Sequence, residues 1–271
     1  MLSEKTLGII GTGKLGEAIA LGLLQNGILR RDALLCSVKH PSSLERVRSK
    51  LCVEAVLDNR WVAQKSDIIL LAVKPQNVSS VCAEICDVLQ PSQLLISVAA
   101  SVTTAYIEAH LHKPIPVVRA MPNTPAVVGA AMTALCKGQF ADATHLDMAK
   151  TLFRAVGEVV ELDEALFDGV TALSASGPAY IYVVIESLAE AGVKLGIPRD
   201  ISTFLAAQTM LGAAKLALET KQHPALLKDS VTTPAGCTID GLLELEEGGL
   251  RVTLIKAVVR AAERACELVK K

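Results

Sequence analysis

Apolar residues follow two successive rhythms along the chain. Up to about residue 164, short runs rich in β-branched residues alternate with segments whose apolar positions recur at helical spacing. The runs predict strands at 6–10, 34–37, 68–73, 94–98, 117–120 and 159–162, with a further one at 132–136. Those around Ile68 and Leu94 are apolar throughout, as strands covered on both faces by helices are. Segments 14–27, 77–89 and 103–111 carry the helical pattern between them. This alternation predicts an α/β architecture built on a doubly wound parallel sheet.

Past residue 164 the strand signal stops. Segments 177–195, 199–220 and 252–269 are long and rich in Ala and Leu, and predict an all-α region. In the last, Ile255, Val258, Val259, Ala262, Cys266 and Val269 form one stripe. Lys256, Arg260, Glu263, Arg264, Glu267 and Lys270 lie off it. Pro198 can open a helix just after Gly196 closes one. Such helices suit a bundle, or intertwining with a second copy of the chain. No low-complexity linker or repeat separates the halves, so the expected domains are 1–164 and 165–271.

Composition narrows the picture. Hydrophobic residues make up 51% of the chain and aromatics only 3%, so small and branched aliphatic side chains must fill the interior. A net charge of -1 leaves no electrostatic footprint for nucleic acid or anionic lipid, and neither is an expected partner. No unbroken apolar run approaches the ~18 residues of a membrane span. The stretch 126–136, interrupted by Gly129 and Thr133, reads as buried interior. Seven cysteines are scattered; Cys82 and Cys86 lie one helical turn apart without a second pair or a nearby His, so no metal site is expected. Reduced, mostly buried thiols fit a reducing compartment. The opening MLSEKTLGIIG enters a strand without the segments of a secretory leader, which makes the cytoplasm the expected location.

The first chemical signal is TLGIIGTGKLGEAIA. Gly11, Gly13 and Gly16 stand in GxGxxG spacing between an apolar strand and an amphipathic helix, the context of a Rossmann dinucleotide loop. Gly11 suits the tight turn, Gly13 the approach of a pyrophosphate, and Gly16 close helix–strand contact. With Thr12, Lys14 and Leu15 they form the expected cofactor loop, where a helix N-terminus meets the anion. NAD-selective domains place Asp or Glu at the end of the second strand, ~20 residues on. Here that region reads LLCSVKH, and the first carboxylate afterwards is Glu45. Ser37 can hydrogen-bond a 2′-phosphate, and Lys39 and His40 either favour its charge or are ordinary loop residues. The expected cofactor is NADPH, with NADH as the lesser donor.

LLAVKPQNV, SVAAS, VVRAMPNTPAVVG, SASGPAYIYV and DSVTTPAGCTIDGLLELEEGGLR complete the set of motifs. In these motifs and their order the whole chain resembles the Δ1-pyrroline-5-carboxylate reductases, with AMPNTP and TTPAGCTIDGL the most specific segments. The resemblance implies reduction of a cyclic imino acid to L-proline, the last step of proline biosynthesis. It also implies intertwined dimers formed by the helical domain, which many members assemble into decamers. By matching positions, Asn59, Ala72, Lys74 and Ala100 are implied at the cofactor, and Glu164, Ser176, Gly177 and Ser230 at or near the substrate; a plain surface lysine is the other reading of Lys74, and an exposed glutamate without a specific role that of Glu164. Asn123, in the stiff turn between two prolines, either faces the nicotinamide or substrate or serves the turn alone.

The segment 232–238 reads as a tight loop feeding a helix over 238–247, whose free N–H groups can hold a carboxylate. Gly236, Cys237 and Thr238 are the candidate substrate residues there. Thr238 is the candidate catalytic one, through a hydrogen bond to the imine nitrogen, unless it only caps its helix. No strong general acid is evident, and a substrate entering as an iminium needs none. Ser101, Ala175 and Ala235 depart from the family, which often has glycine there, and put loop geometry in doubt. Two other readings stay open: a β-hydroxyacid-type dehydrogenase using Lys194 or Lys215 as base, and a non-catalytic NADP-binding sensor.

Overall fold

Period-2 alternation decides which side of the sheet each strand residue joins. The computed structural model describes residue 2 and residues 4–269, and among these one sheet has eight strands. Their order is β3 (Glu54–Val56), β2 (Leu34–Ser37), β1 (Leu7–Ile10), β4 (Ile68–Leu71), β5 (Leu94–Ser97), β6 (Val117–Met121), β7 (Ala131–Lys137) and β8 (Gly157–Glu161). All neighbours pair in parallel except β6 and β7, which a short turn over Thr124–Val128 joins as an antiparallel pair.

Ile9, Ile68, Leu70, Leu94, Ile96 and Val118 point into one core. It is closed by α1 (Lys14–Gln25), α2 (Pro41–Leu51) and α6 (Ala143–Arg154). Ile10, Ile69, Leu71, Leu95 and Val117 point into the other, under α3 (Asn59–Lys65), α4 (Val78–Ile85) and α5 (Thr104–Leu111). Two-sided burial is why these strands are apolar throughout. Four elements in this region lacked a sequence expectation. β3 is a three-residue edge strand with Glu54 exposed, too short to show alternation. α2, α3 and α6 carry start signals rather than long stripes: Pro41 at the first turn, Asp58 accepting from Trp61 N at 3.0 Å, and Asp142 with His145 capping each other's backbone.

The chain divides into two compact units, Met1–Ser176 with Ala261–Lys271, and Gly177–Arg260. Residues 165–176, placed beyond the division on pattern alone, group with the sheet. They form α7 (Phe167–Val170) and a π turn over Thr171–Ala175. Phe167 anchors them, fully buried with Met121, Ala134 and Cys136.

The second unit contains α8 (Gly177–Lys194), α9 (Arg199–Thr220), α10 (Pro224–Val231), α11 (Cys237–Glu247) and the first half of α12 (Leu250–Val269). Small residues let α8 and α9 approach closely: Ala189, Ser202 and Ala206 are buried, and a Cβ on Gly192 would lie 2.6 Å from Ser202 Oγ. Arg199 and Glu190 pair beside the turn. Much of this unit's apolar surface is open, including Tyr182, Val183, Phe204 and Leu211.

Two sequence expectations need correction. The stretches Glu164–Lys194 and Arg199–Thr220 reach the length and composition of membrane-crossing helices. The expectation of nothing near such a span therefore holds only for unbroken apolar runs. Within 126–136, Val127 and Val128 are 71% and 78% exposed, because the turn between β6 and β7 projects them outward. The cysteines are all unpaired: Cys36, Cys82 and Cys136 are buried, whereas Cys52, Cys237 and Cys266 are exposed. Burial pushes the Cys36 thiol up to about 11 and those of Cys82 and Cys136 to about 12, so these three stay protonated.

Candidate active site

The glycine turn leaves the carboxyl end of β1 and shows three different constraints. Gly11 has φ +89°, and a Cβ there would stand 2.7 Å from Val73 Cγ1 and 3.0 Å from the Ala72 carbonyl oxygen. At Gly16 a Cβ would lie 3.1 Å from Ile9 Cγ2, the close approach of helix to strand. Gly13 is the opposite case: among the described residues, nothing beyond its chain neighbours lies within 4 Å of its missing Cβ. It N-caps α1 without a side-chain bond, leaving the first-turn N–H groups of Lys14, Leu15 and Gly16 for an outside acceptor. An open cradle in front of an uncapped helix start fits a dinucleotide pyrophosphate. Gly11 N and Thr12 N donate to the Ser37 carbonyl at 3.2 and 2.9 Å and pin the turn to β2.

Glu17, in the first turn of the same helix, was not anticipated. Its carboxylate is buried, and both Arg46 and Lys50 of α2 pair with it. Arg46 also reaches the Thr12 carbonyl at 3.4 Å. These cations offset the one negative charge that would otherwise oppose an anion at this helix start. The available signal was a lone acid in an otherwise apolar helix face.

At the end of β2 the Ser37 hydroxyl is fully buried and donates to Asn59 Oδ1 at 2.7 Å. In this structure the Ser37 hydroxyl proton is therefore engaged by Asn59. Asn59 Nδ2 in turn donates to Glu84 Oε2 at 2.9 Å. Lys39 and His40 are exposed on the next loop, and Lys74 is exposed after β4. Ala72 N donates to the Ile10 carbonyl at 2.9 Å. Ala100, after β5, packs on the cluster around Phe167. Residues 11–16, 37, 72–74, 100 and 123 therefore all lie at or just past strand ends on the carboxyl edge of the sheet, where the strand order reverses beside β1.

Asn123 uses both ends of its amide on the protein. Nδ2 donates to the Ser174 carbonyl at 3.2 Å, and Oδ1 accepts from Met132 N at 3.0 Å. It ties the turn after β6 to β7 and to the π turn that ends at Ala175.

Glu164 is equally engaged. Oε1 accepts from Thr104 N at 2.8 Å and pairs with Arg119 Nη1 at 3.1 Å, while Oε2 accepts from the Thr104 hydroxyl at 2.7 Å. Arg119 is 2% exposed, with its guanidinium 4.6 Å from the Phe167 ring centroid and Nε and Nη2 unpartnered. The carboxylate thus neutralises a buried cation and caps α5. Arg119, a single charge inside the apolar run VVRAM, was the overlooked signal.

In the second unit, α11 starts one residue earlier than expected, at Cys237, with Gly236 as its cap and no side-chain cap bond. Thr238 therefore sits at the second helical position and does not cap. Its side chain is half-buried and makes no hydrogen bond among the described residues. Ser230 is turned to its own helix, donating to the Leu227 carbonyl at 2.7 Å. Ser176 N closes the π turn on the Thr171 carbonyl at 2.9 Å, and Gly177 opens α8 with free space around its missing Cβ. Ala235 and Ser101 adopt φ +57° and +59°, the left-handed region where glycine is at ease. Ala175 lies in the right-handed π turn, where a Cβ is harmless. Ala235→Gly is expected to raise stability by roughly 0.5–1 kcal/mol; a melting temperature unchanged or lowered at fixed protein concentration would contradict the strain at this loop.

Fold and cradle together define a Rossmann-class dinucleotide-binding domain followed by a helical unit. Comparison with known proteins makes the class specific. A family profile described as "NADP oxidoreductase coenzyme F420-dependent" matches residues 6–101, and one described as "Pyrroline-5-carboxylate reductase dimerisation" matches residues 164–268. The pyrroline-5-carboxylate reductase of Methanosarcina acetivorans is 43% identical over 270 residues, covering 100% of both chains. That of Glycine max is 41% identical over 263 residues, covering 97% of this chain and 96% of its own. Among solved structures, a pyrroline-5-carboxylate reductase from Coxiella burnetii superposes with TM-score 0.92 at 39% identity, over 98% of this chain and 99% of its own. A pyrroline carboxylate reductase from Plasmodium falciparum with NADP bound gives 0.90 at 32% identity, over 99% and 100%.

The chain belongs to the pyrroline-5-carboxylate reductase family. It is an oxidoreductase that works with a nicotinamide cofactor and self-associates through its helical region. The hydroxyacid reading falls with that assignment. Lys194 is exposed, and Lys215 pairs with Glu219 at 3.7 Å on an exposed face.

Proposed function

We propose that the chain reduces Δ1-pyrroline-5-carboxylate to L-proline with NADPH as its preferred donor, in the cytoplasm, as intertwined dimers that assemble into a decamer. The observation that carries the reading is the start of α1, which Gly13 caps without a side-chain bond; taken by itself, α11 starts in the same way at Gly236. Each leaves first-turn N–H groups for an anion, and the two anions required are a pyrophosphate and a ring carboxylate.

Gly11, Thr12 and Gly13 with the start of α1 would hold the diphosphate, while Ala72, Lys74 and Ala100 line the strand ends beyond it. When bound, the dinucleotide supplies hydride. The N–H groups at Cys237 and Thr238 hold the substrate carboxylate, and the Thr238 hydroxyl accepts from the N–H of the iminium nitrogen and orients it. Since the substrate enters protonated on nitrogen, no side chain has to deliver a proton. Glu164 and Asn123 act by bracing the loops rather than by touching the ring. The preference for NADPH is supported by the missing carboxylate at the end of β2 and by exposed Lys39 and His40. Seven unpaired cysteines suit a reducing compartment. Light scattering of the eluting protein reads the assembly size.

The deciding assay follows NADPH oxidation with five- and six-membered cyclic imino acids side by side. Turnover should require the imino acid; oxidation of 3-hydroxy acids alone, or tight cofactor binding with no turnover, would reverse the reading. Thr238→Val should lower kcat/KM roughly ten- to hundredfold through loss of one oriented hydrogen bond, with the NADPH dissociation constant almost unchanged. An unaltered kcat/KM removes Thr238 from the mechanism.

A further inference from the structure

We infer that Glu84 is a specificity-determining residue for the dinucleotide: a carboxylate delivered from α4, in place of one at the end of β2, that disfavours a phosphate on the ribose 2′ position. The inference rests on the reading above that the end of β2 receives that part of the cofactor. In Rossmann domains this strand end decides between a ribose hydroxyl, which an acid accepts from, and a 2′-phosphate, which an acid repels. Here the strand ends on Ser37 without an acid.

A chain of hydrogen bonds brings one in from elsewhere. Glu84 Oε2 accepts from Asn59 Nδ2 at 2.9 Å, and Asn59 Oδ1 accepts from the Ser37 hydroxyl at 2.7 Å. A carboxylate only accepts, so it forces the amide nitrogen toward itself and the amide oxygen toward Ser37. The one hydroxyl proton of Ser37 is then committed to Asn59. Ser37 is fully buried and Asn59 half-exposed, so Asn59 is the polar group a ligand reaches first at this strand end. One of its two amide hydrogens is already held by Glu84. A 2′-phosphate, which only accepts, meets a depleted donor set, whereas a 2′-hydroxyl brings its own proton.

Charge works in the same direction. Glu84 is exposed and forms no ion pair among the described residues. The nearest guanidinium on α3, Arg60, donates to the Glu84 backbone carbonyl at 2.8 Å and aims its fork at Asp87 at 2.6 and 2.7 Å. The negative charge therefore stands unneutralised beside Asn59. Lys39 and His40 attract a 2′-phosphate, Glu84 opposes it, and selectivity is the balance between them.

Calorimetric binding of 2′,5′-ADP and 5′-AMP to the full-length protein tests this without turnover. Glu84→Gln keeps an acceptor for Asn59 and removes only the charge; Glu84→Ala removes both. The glutamine variant should bind 2′,5′-ADP about three- to tenfold more tightly, with 5′-AMP within about twofold and the gain shrinking at high salt. The alanine variant should gain at least as much. Equal changes for both probes, or none for either, would overturn the role of Glu84. A wild-type protein that binds 2′,5′-ADP no better than 5′-AMP would instead remove the NADPH preference, and the variant comparison would still report on Glu84.

Discussion

Gly13→Ala should leave the melting temperature unchanged while weakening NADPH binding roughly ten- to hundredfold, the cost of one extra methyl in a packed contact. The reasoning is steric on both sides. With φ −88° and ψ −163°, Gly13 has a backbone conformation open to alanine, and among the described residues no atom beyond its own chain neighbours lies within 4 Å of the added carbon. What a methyl there is expected to obstruct is the diphosphate of an incoming dinucleotide. Gly11→Ala is the contrasting control. Its φ of +89° and the 2.7 Å approach to Val73 Cγ1 make the same substitution damaging to the fold itself. Fluorescence titration with NADPH and thermal melts of both variants separate the two effects. If Gly13→Ala binds NADPH like the wild type, the cradle is not where the diphosphate sits.

Glu164→Ala should destabilise the protein by about 3 kcal/mol, near the lower end for breaking a buried ion pair because water reaches one side of the acid. Arg119 would be left with its charge buried beside Phe167, where Nε and Nη2 already lack partners. Thr104 N, at the start of α5, would lose its acceptor as well. A second variant makes the cause visible. Adding Arg119→Met removes the stranded charge, so the double variant should unfold at higher denaturant than Glu164→Ala alone. Were Glu164 mainly a substrate contact, its truncation would raise KM for the imino acid at undiminished stability, and Arg119→Met would rescue nothing.

Both predictions show where the sequence was readable. GxGxxG after an apolar strand points to its chemistry because each glycine answers a backbone requirement, and such requirements are local. Strands 68–71 and 94–97 were legible for a similar reason, since two-sided burial leaves an unbroken apolar run. The three-residue β3 had no such mark. α2, α3 and α6 announced themselves only through capping residues, which are weaker than a stripe.

The site residues divide along the same line. Residue type and spacing pointed to the dinucleotide loop, to a candidate carboxylate loop and, through the family motifs, to the reaction. They did not reveal that the Ser37 hydroxyl proton is engaged by Asn59, that Asn123 and Glu164 brace loops, or that Arg46 and Lys50 neutralise Glu17. Nor did they show that Glu84, 25 residues from Asn59, reaches its amide. Local conformation depends on neighbours in the chain and is written there directly. Hydrogen bonds and ion pairs between elements depend on which strand ends the sheet order places side by side, and that order exists only once the chain has folded.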